Sequence, residues 1–195
     1  MSLREAKTAA TRRKLTDATF DALVEGGYHG TSAAAVCRRA ELARGTMLHH
    51  FPNKEALVLA ALEDVLARRV EDFRVELSQA PNTDLEALVL HLWRAVKGPT
   101  FFVWLELTVA SRTIPTLNAE LRLVMARFDA LVVATAASLV SPALLGGRDL
   151  KASVSLVFSA LNGMALDLLQ TDPDTVEERV AMLARTVAQA GRPKA

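Results

Sequence analysis

Apolar residues return at three- and four-residue intervals along most of the chain, and no stretch alternates long enough to build a sheet. The pattern predicts an all-α fold of about nine helices. The first follows Arg12, Arg13 and Lys14 and carries Leu15, Ala18, Ala22 and Leu23 on one stripe, with Phe20 and Val24 beside it. Gly26-Gly27 is expected to end that helix, and the polar residues 1–11 are expected to be frayed. Two short helical segments come next, 32–40 with Val36, Cys37 and Ala40 inward, and 44–50, separated by the turn 41–43. Thr31 or Ser32 can cap the first of them, Phe51 can plug a core, and Pro52-Asn53 breaks the chain before a longer helix.

The remaining helices are longer. A fourth is expected over 54–78, with Leu57, Ala61, Val65, Phe73 and Leu77 at helical spacing, and a fifth over 83–97. A sixth, over 100–112, is apolar nearly all round except at Glu106, so it is expected at a centre. Glu106 is expected to pair with Arg112 or Arg94 or to lie on a wet edge, with the anchoring of a polar ligand as its sharper role. A seventh helix follows over 115–139, an eighth over 148–170 and a ninth over 173–190. Loops are expected at 81–84 and 141–147, with a loose tail over 191–195. The eighth has more apolar circumference than one core needs.

Charge sharpens this picture. The whole chain is close to neutral at +1, but residues 1–54 hold nine Lys/Arg against five Asp/Glu, while 55–195 hold fourteen against seventeen. A basic head on a mildly acidic remainder fits nucleic-acid binding confined to the head. The single cysteine, Cys37, excludes an internal disulfide and a CxxC metal site, and reads as a buried inert thiol. Adjacent His49 and His50 point about 100° apart on a helix and do not suit a shared metal. The uncharged runs 130–147 and 152–166 read as buried helices rather than membrane spans. No nucleophile, phosphate-loop, dinucleotide or metalloprotease motif is present, so neither enzyme activity nor a cofactor or metal is expected.

The stretch 30–57 has the layout of a helix-turn-helix. Arg44 offers a guanidinium for guanine or phosphate, Gly45 has no side chain to block close approach, and Thr46 offers a hydroxyl. His49 and Leu48 face outward, and Lys54 sits badly for its own helix dipole, which suits a phosphate partner. The stretch resembles the DNA-binding head of the TetR family of bacterial transcription regulators, through Gly27-Tyr28, Thr31-Ser32, Val36-Cys37, Ala40, Gly45-Thr46-Met47, His50-Phe51, Lys54 and Leu57. Three positions depart from the family pattern. Glu41 stands where Gly is common, Leu48 where Tyr is usual, and Ala43 where a Ser cap is usual.

The expected organisation is a helix-turn-helix domain over 1–53 and a helical ligand-binding and dimerisation domain over 54–195. DNA contacts are expected from Thr31, Ser32, Arg44, Gly45, Thr46, Leu48, His49 and Lys54. The resemblance implies a cytoplasmic homodimer that represses from a near-palindromic double-stranded operator until a small molecule releases it. The dimer is expected through the eighth and ninth helices. Trp93, Phe101, Trp104, Phe128 and Phe158 suggest a mostly apolar effector, with Glu106 or Asn162 as polar handle. The competing readings are a soluble helical enzyme or carrier with an apolar cavity, and a DNA-binding protein without a ligand.

Overall fold

The computed structural model describes residues 2–79 and 84–191. Among them the chain forms nine α-helices and one short 3-10 turn, and no strand. They are α1 (Leu3–Gly30), α2 (Ala33–Arg39), α3 (Arg44–His50), α4 (Lys54–Ser78), α5 (Leu85–Val96), α6 (Pro99–Ser111), α7 (Pro115–Leu139), α8 (Leu150–Asp167) and α9 (Pro173–Ala190). The expected loop residues 81–83 and tail residues 192–195 lie outside the described residues. No helix of the described residues is long and apolar enough to cross a membrane.

Packing groups the chain into two compact units, Met1–Ala67 with Phe102–Phe128, and Arg68–Phe101 with Asp129–Ala195. α6 from Phe102 and the start of α7 fall in the unit that holds α1 to α3.

The first unit has two cores. Leu15 and Ala18 of α1, Val36 and Cys37 of α2, Met47 of α3, and Phe51 and Leu57 close the smaller one. Each large apolar side chain buried there contributes about 1.5–3 kcal/mol. The second joins Leu23 and Tyr28 to Leu59 and Leu62 of α4, Val103 and Leu107 of α6, and Leu117 and Leu121 of α7. Thr16, inside α1, donates to Asp64 of α4 at 2.8 Å and ties the two helices through a polar contact.

One expectation for α1 is corrected. Residues 3–10 are helical rather than frayed, because Ser2 and Glu5 form a capping box in which each side chain meets the other's backbone N–H. The regular helix does end where Gly26-Gly27 was expected to end it: Gly27 leaves the helical region, at φ 65° and ψ −176°, and after this kink one further turn runs to Gly30.

A second correction concerns α6. Val103, Leu107 and Ala110 are buried, but Glu106 and Thr108 are exposed and Val109 is 60% exposed, so the helix packs by one face only. Uniform hydropathy could not show which face a single chain would cover. α5 and α8 are also shorter at both ends than expected, with Asp84 and Asp149 accepting from the first-turn amides as caps.

The second unit is built on α5, α8 and α9 packing against one another. Val89 and Trp93 of α5, Leu161 and Ala165 of α8, and Val176, Val180 and Ala184 of α9 are buried. The Trp93 indole N–H donates to Glu177 at 2.9 Å, and the Lys97 ammonium donates to the same oxygen at 2.7 Å. Both polar demands of this α5–α9 seam are thereby met.

Candidate nucleic-acid interface

The helix-turn-helix is assembled from short-range chemistry. Ser32 caps α2 by accepting the Ala35 amide at 3.2 Å. Its hydroxyl hydrogen remains available to an outside acceptor, since one hydroxyl has a donor as well as lone pairs. Glu41 turns the chain between α2 and α3 in the left-handed region, at φ 51°. The turn therefore tolerates a side chain where glycine has no Cβ to strain. The carboxylate is held 3.5 Å from Lys14. Ala43 begins α3 without a side-chain cap, as its methyl requires.

α3 divides cleanly by face. Met47 points into the core at 1% exposure, while Arg44, Gly45, Leu48 and His49 are exposed and Thr46 is half-buried. A Cβ added at Gly45 would meet nothing within 4 Å, so internal packing does not demand glycine there. The His49 and His50 rings stand edge-on at 5.3 Å, splayed by the helical twist.

Two predicted contacts have other partners. Thr31 is 3% exposed, and its hydroxyl donates to the Gly27 carbonyl at 2.8 Å. The Lys54 ammonium donates to the Tyr28 carbonyl at 2.5 Å and lies 4.0 Å over the Tyr28 ring. Partial burial pushes its pKa down, with Glu55 opposing. An ammonium has three donors, so this bond does not exhaust it.

The other end of Tyr28 is held too. Glu106 does not pair with Arg112 or Arg94; its carboxylate accepts the Tyr28 amide at 2.6 Å. The Tyr28 hydroxyl donates to Glu55 at 3.3 Å, and burial followed by the Glu55 charge raises the phenol's pKa. Tyr28, the residue after the kink, is thus clamped between α6 and the first turn of α4, a contact that residues 78 positions apart do not announce in sequence.

Sequence pattern left Arg38 unassigned, and left Arg12, with Arg13 and Lys14, between a phosphate contact and an ordinary solvated helix start. Arg38 is exposed in the last turn of α2. The Arg12 guanidinium stacks 4.5 Å over the ring of Phe51, which closes α3. Arg39 is committed elsewhere, gripping Glu25 with both guanidinium nitrogens and lying 3.9 Å from Asp21. That grip lowers the Glu25 carboxyl and raises the guanidinium.

The expected effector residues fall in both units. Trp104, Glu106 and Phe128 lie in the first, where both rings pack against the larger core. Trp93, Phe101, Phe158 and Asn162 lie in the second, and Trp93 is fully buried with its N–H satisfied by Glu177.

A basic three-helix head with an outward α3 is the arrangement of a DNA-binding helix-turn-helix. Residues 15–61 match the family model described as bacterial regulatory proteins, tetR family. An uncharacterized HTH-type transcriptional regulator of Mycobacterium tuberculosis is 28% identical over 186 residues, spanning 91% of this chain and 95% of that protein. A TetR-family regulator structure from Rhodococcus sp. superposes with a TM-score of 0.76 at 14% identity, over 92% of this chain and 99% of that one. FadR of Bacillus subtilis in complex with stearoyl-CoA superposes at 0.61 and 14% identity, over 92% and 96%. The head over residues 15–61 is that of the tetR family, and the chain has the fold of TetR-family structures and is similar over most of its length to HTH-type transcriptional regulators.

Proposed function

We propose that this regulator is a cytoplasmic repressor that binds a near-palindromic operator as a homodimer and leaves it when a mostly apolar small molecule binds. The observation that carries the DNA surface is the outward face of α3, with Arg44, Gly45, Leu48 and His49 exposed over a closed core. Ser32, Thr46 and Lys54 complete it, and Arg38 joins as a phosphate contact. Thr31 acts from inside, by holding the Gly27 carbonyl. The DNA-binding domain is taken as 1–53 and the regulatory part as 54–195.

The dimer reading is supported by the outer face of α8. Ala152, Leu156, Ser159, Gly163 and Leu166 are all exposed and recur at three- and four-residue spacing, with no charge among them. On α9, Met182 is 59% exposed. Two such pairs of helices can close a four-helix bundle about a twofold axis. A structure of the same fold, FadR of Bacillus subtilis, holds stearoyl-CoA, whose acyl chain is apolar, and this is the model for an apolar effector here. Trp104 and Phe128, with Glu106, are its candidate groups in the first unit, and Phe101, Phe158 and Asn162 in the second.

Selection of bound duplexes from a random library tests the first part. The expected product is a near-palindrome with half-sites about 34–36 Å, or a multiple, apart. Recovery of an asymmetric site with a single half would sink the dimeric reading. Gly45→Ala tests the surface itself. It should raise stability by about 0.5–1 kcal/mol, since alanine is the better helix former. Binding to the selected duplex should nonetheless fall, because the methyl stands where the backbone meets DNA. Unchanged binding would remove Gly45 from the contact.

A further inference from the structure

The first turns of α1 carry charge with no core to pack. Residues 3–11 extend the helix by about 13 Å ahead of its apolar stripe. The region matching the family begins later, at residue 15. Leu3 is 90% exposed, and of residues 2–10 only Ala6 is even half-buried. A helical segment that is polar nearly all round is not held by packing. This one is held by its capping box and by continuity with the rest of α1.

Its charge is one-sided in sign. Residues 3–14 hold Arg4, Lys7, Arg12, Arg13 and Lys14 against Glu5 alone. Arg4, Lys7, Thr11 and Lys14 recur at three- and four-residue spacing and share one face. Two contacts fix where that face stands in the head. Lys14 lies 3.5 Å from Glu41, in the turn before α3, and Arg12 stacks on Phe51, at the end of α3. Going outward from that turn along α1, one meets Lys14, then Lys7, then Arg4. Among the described residues neither Arg4 nor Lys7 forms an ion pair.

We propose that residues 3–14 of α1 are a second DNA-contacting surface, in which Arg4 and Lys7 bind duplex phosphates outside the groove entered by α3. The proposal rests on the DNA-binding reading above. Its partner is the sugar–phosphate backbone rather than base edges, because the side chains are cations on a rigid rod anchored beside the recognition helix. Such contacts add affinity that salt erodes, and no base preference. A membrane surface fits less well, since Leu3 is the only large apolar side chain of residues 3–11.

The test is fluorescence anisotropy of the full chain with a labelled duplex of arbitrary sequence, about four helical turns long, titrated with salt. The variants are Arg4→Ala/Lys7→Ala, Arg4→Lys/Lys7→Arg and Arg44→Ala. The first pair should lower the slope of log affinity against log salt by about 0.9 for each phosphate it no longer neutralises. Helix content should be unchanged, since alanine favours the helix at least as well. The charge-preserving pair should bind like the wild type. Equal slopes for the wild type and Arg4→Ala/Lys7→Ala would overturn the proposal, while a reduced slope in Arg44→Ala alone would leave the α3 reading standing. Absence of any duplex binding by the wild type would remove both. An unchanged duplex slope with abolished binding to phosphatidylglycerol vesicles would overturn it in favour of a membrane surface.

Discussion

Two backbone positions with positive φ sit at opposite ends of tolerance. At Gly27, φ is 65°, and an added Cβ would be pressed against both Glu106 carboxylate oxygens, with Glu106 Cδ at 2.9 Å. Gly27→Ala should therefore cost about 1–3 kcal/mol in denaturant unfolding, from backbone strain together with displacement of the carboxylate. Combining it with Glu106→Ala separates the two causes. The double variant should be less destabilised than the two single losses added together, because the clash disappears with the carboxylate. Strict additivity would assign the whole cost to the backbone. At Glu41 the left-handed turn already carries a side chain, and truncation removes only an exposed ion pair, worth about 0–1 kcal/mol. Glu41→Gly should stay within about 1 kcal/mol of the wild type, whereas Glu41→Val, branched at Cβ, should cost about 1–2 kcal/mol. Equal melting temperatures for the two variants would contradict the strain account.

At the scale of elements, helix limits were legible wherever a cap or a proline marked them. α4, α7 and α9 fall where Asn53, Pro115 and Asp172-Pro173 place their starts, and Asn53 does accept the Ala56 amide at 2.8 Å. The outward set of α3 was equally plain, because Met47 and Phe51 are the apolar residues that a helix-turn-helix core needs. The early start of α1 was missed because a segment without an apolar stripe has no periodicity to read. Its signal was local, the Ser2-x-x-Glu5 capping box. The Glu106 contact was missed because a partner 78 residues away leaves no local trace. Burial also redirects the test of the dimer. Leu161 of α8 and Val180 of α9 have 0% exposure within one chain, so a charge there would break the core and say nothing of an interface. Leu156→Asp with Met182→Asp, at 71% and 59% exposure, should instead give a folded monomer by sedimentation. A folded variant that stayed dimeric would place the interface elsewhere. The α5–α9 seam carries its own pH dependence. Burial pushes the Glu177 carboxyl up, but hydrogen bonds from Lys97 and Trp93 prevail and hold it below its usual 4.5. A carboxylate depressed by folding contributes stability that is complete above the unfolded value and is lost as pH falls through the folded one. Unfolding by urea at neutral and at acid pH should show a smaller acid loss for Glu177→Gln than for the wild type.

For the whole molecule, the proposed release by a small molecule requires a path from its binding site to the recognition helix. The Tyr28 peptide offers a physical link, since its N–H is held by Glu106 of α6 and its carbonyl by Lys54 at the start of α4. Lys54 is also a proposed phosphate contact, so the clamp and the DNA share a residue. An effector that draws on Glu106 would loosen the clamp, and only its differential affinity for the two arrangements can shift the population between them. Linkage then demands that operator duplex weaken effector binding by the same factor, typically about 5–150-fold. Calorimetry measures both arms, with stearoyl-CoA, bound in the similarly folded FadR of Bacillus subtilis, as first probe and the selected operator as duplex. A compound that binds equally with and without duplex is a passenger and not the effector. For a compound that does couple, Glu106→Ala should bring the factor toward one, while Glu106→Gln, which keeps an acceptor for the Tyr28 amide, should preserve more of it. Removing the partner of that part-buried amide also costs about 1–3 kcal/mol of stability, so the measurement is made well below the melting temperature of the variant. If the coupling factor is the same in the wild type and in Glu106→Ala, the signal travels by another route and the clamp serves only to hold the kink.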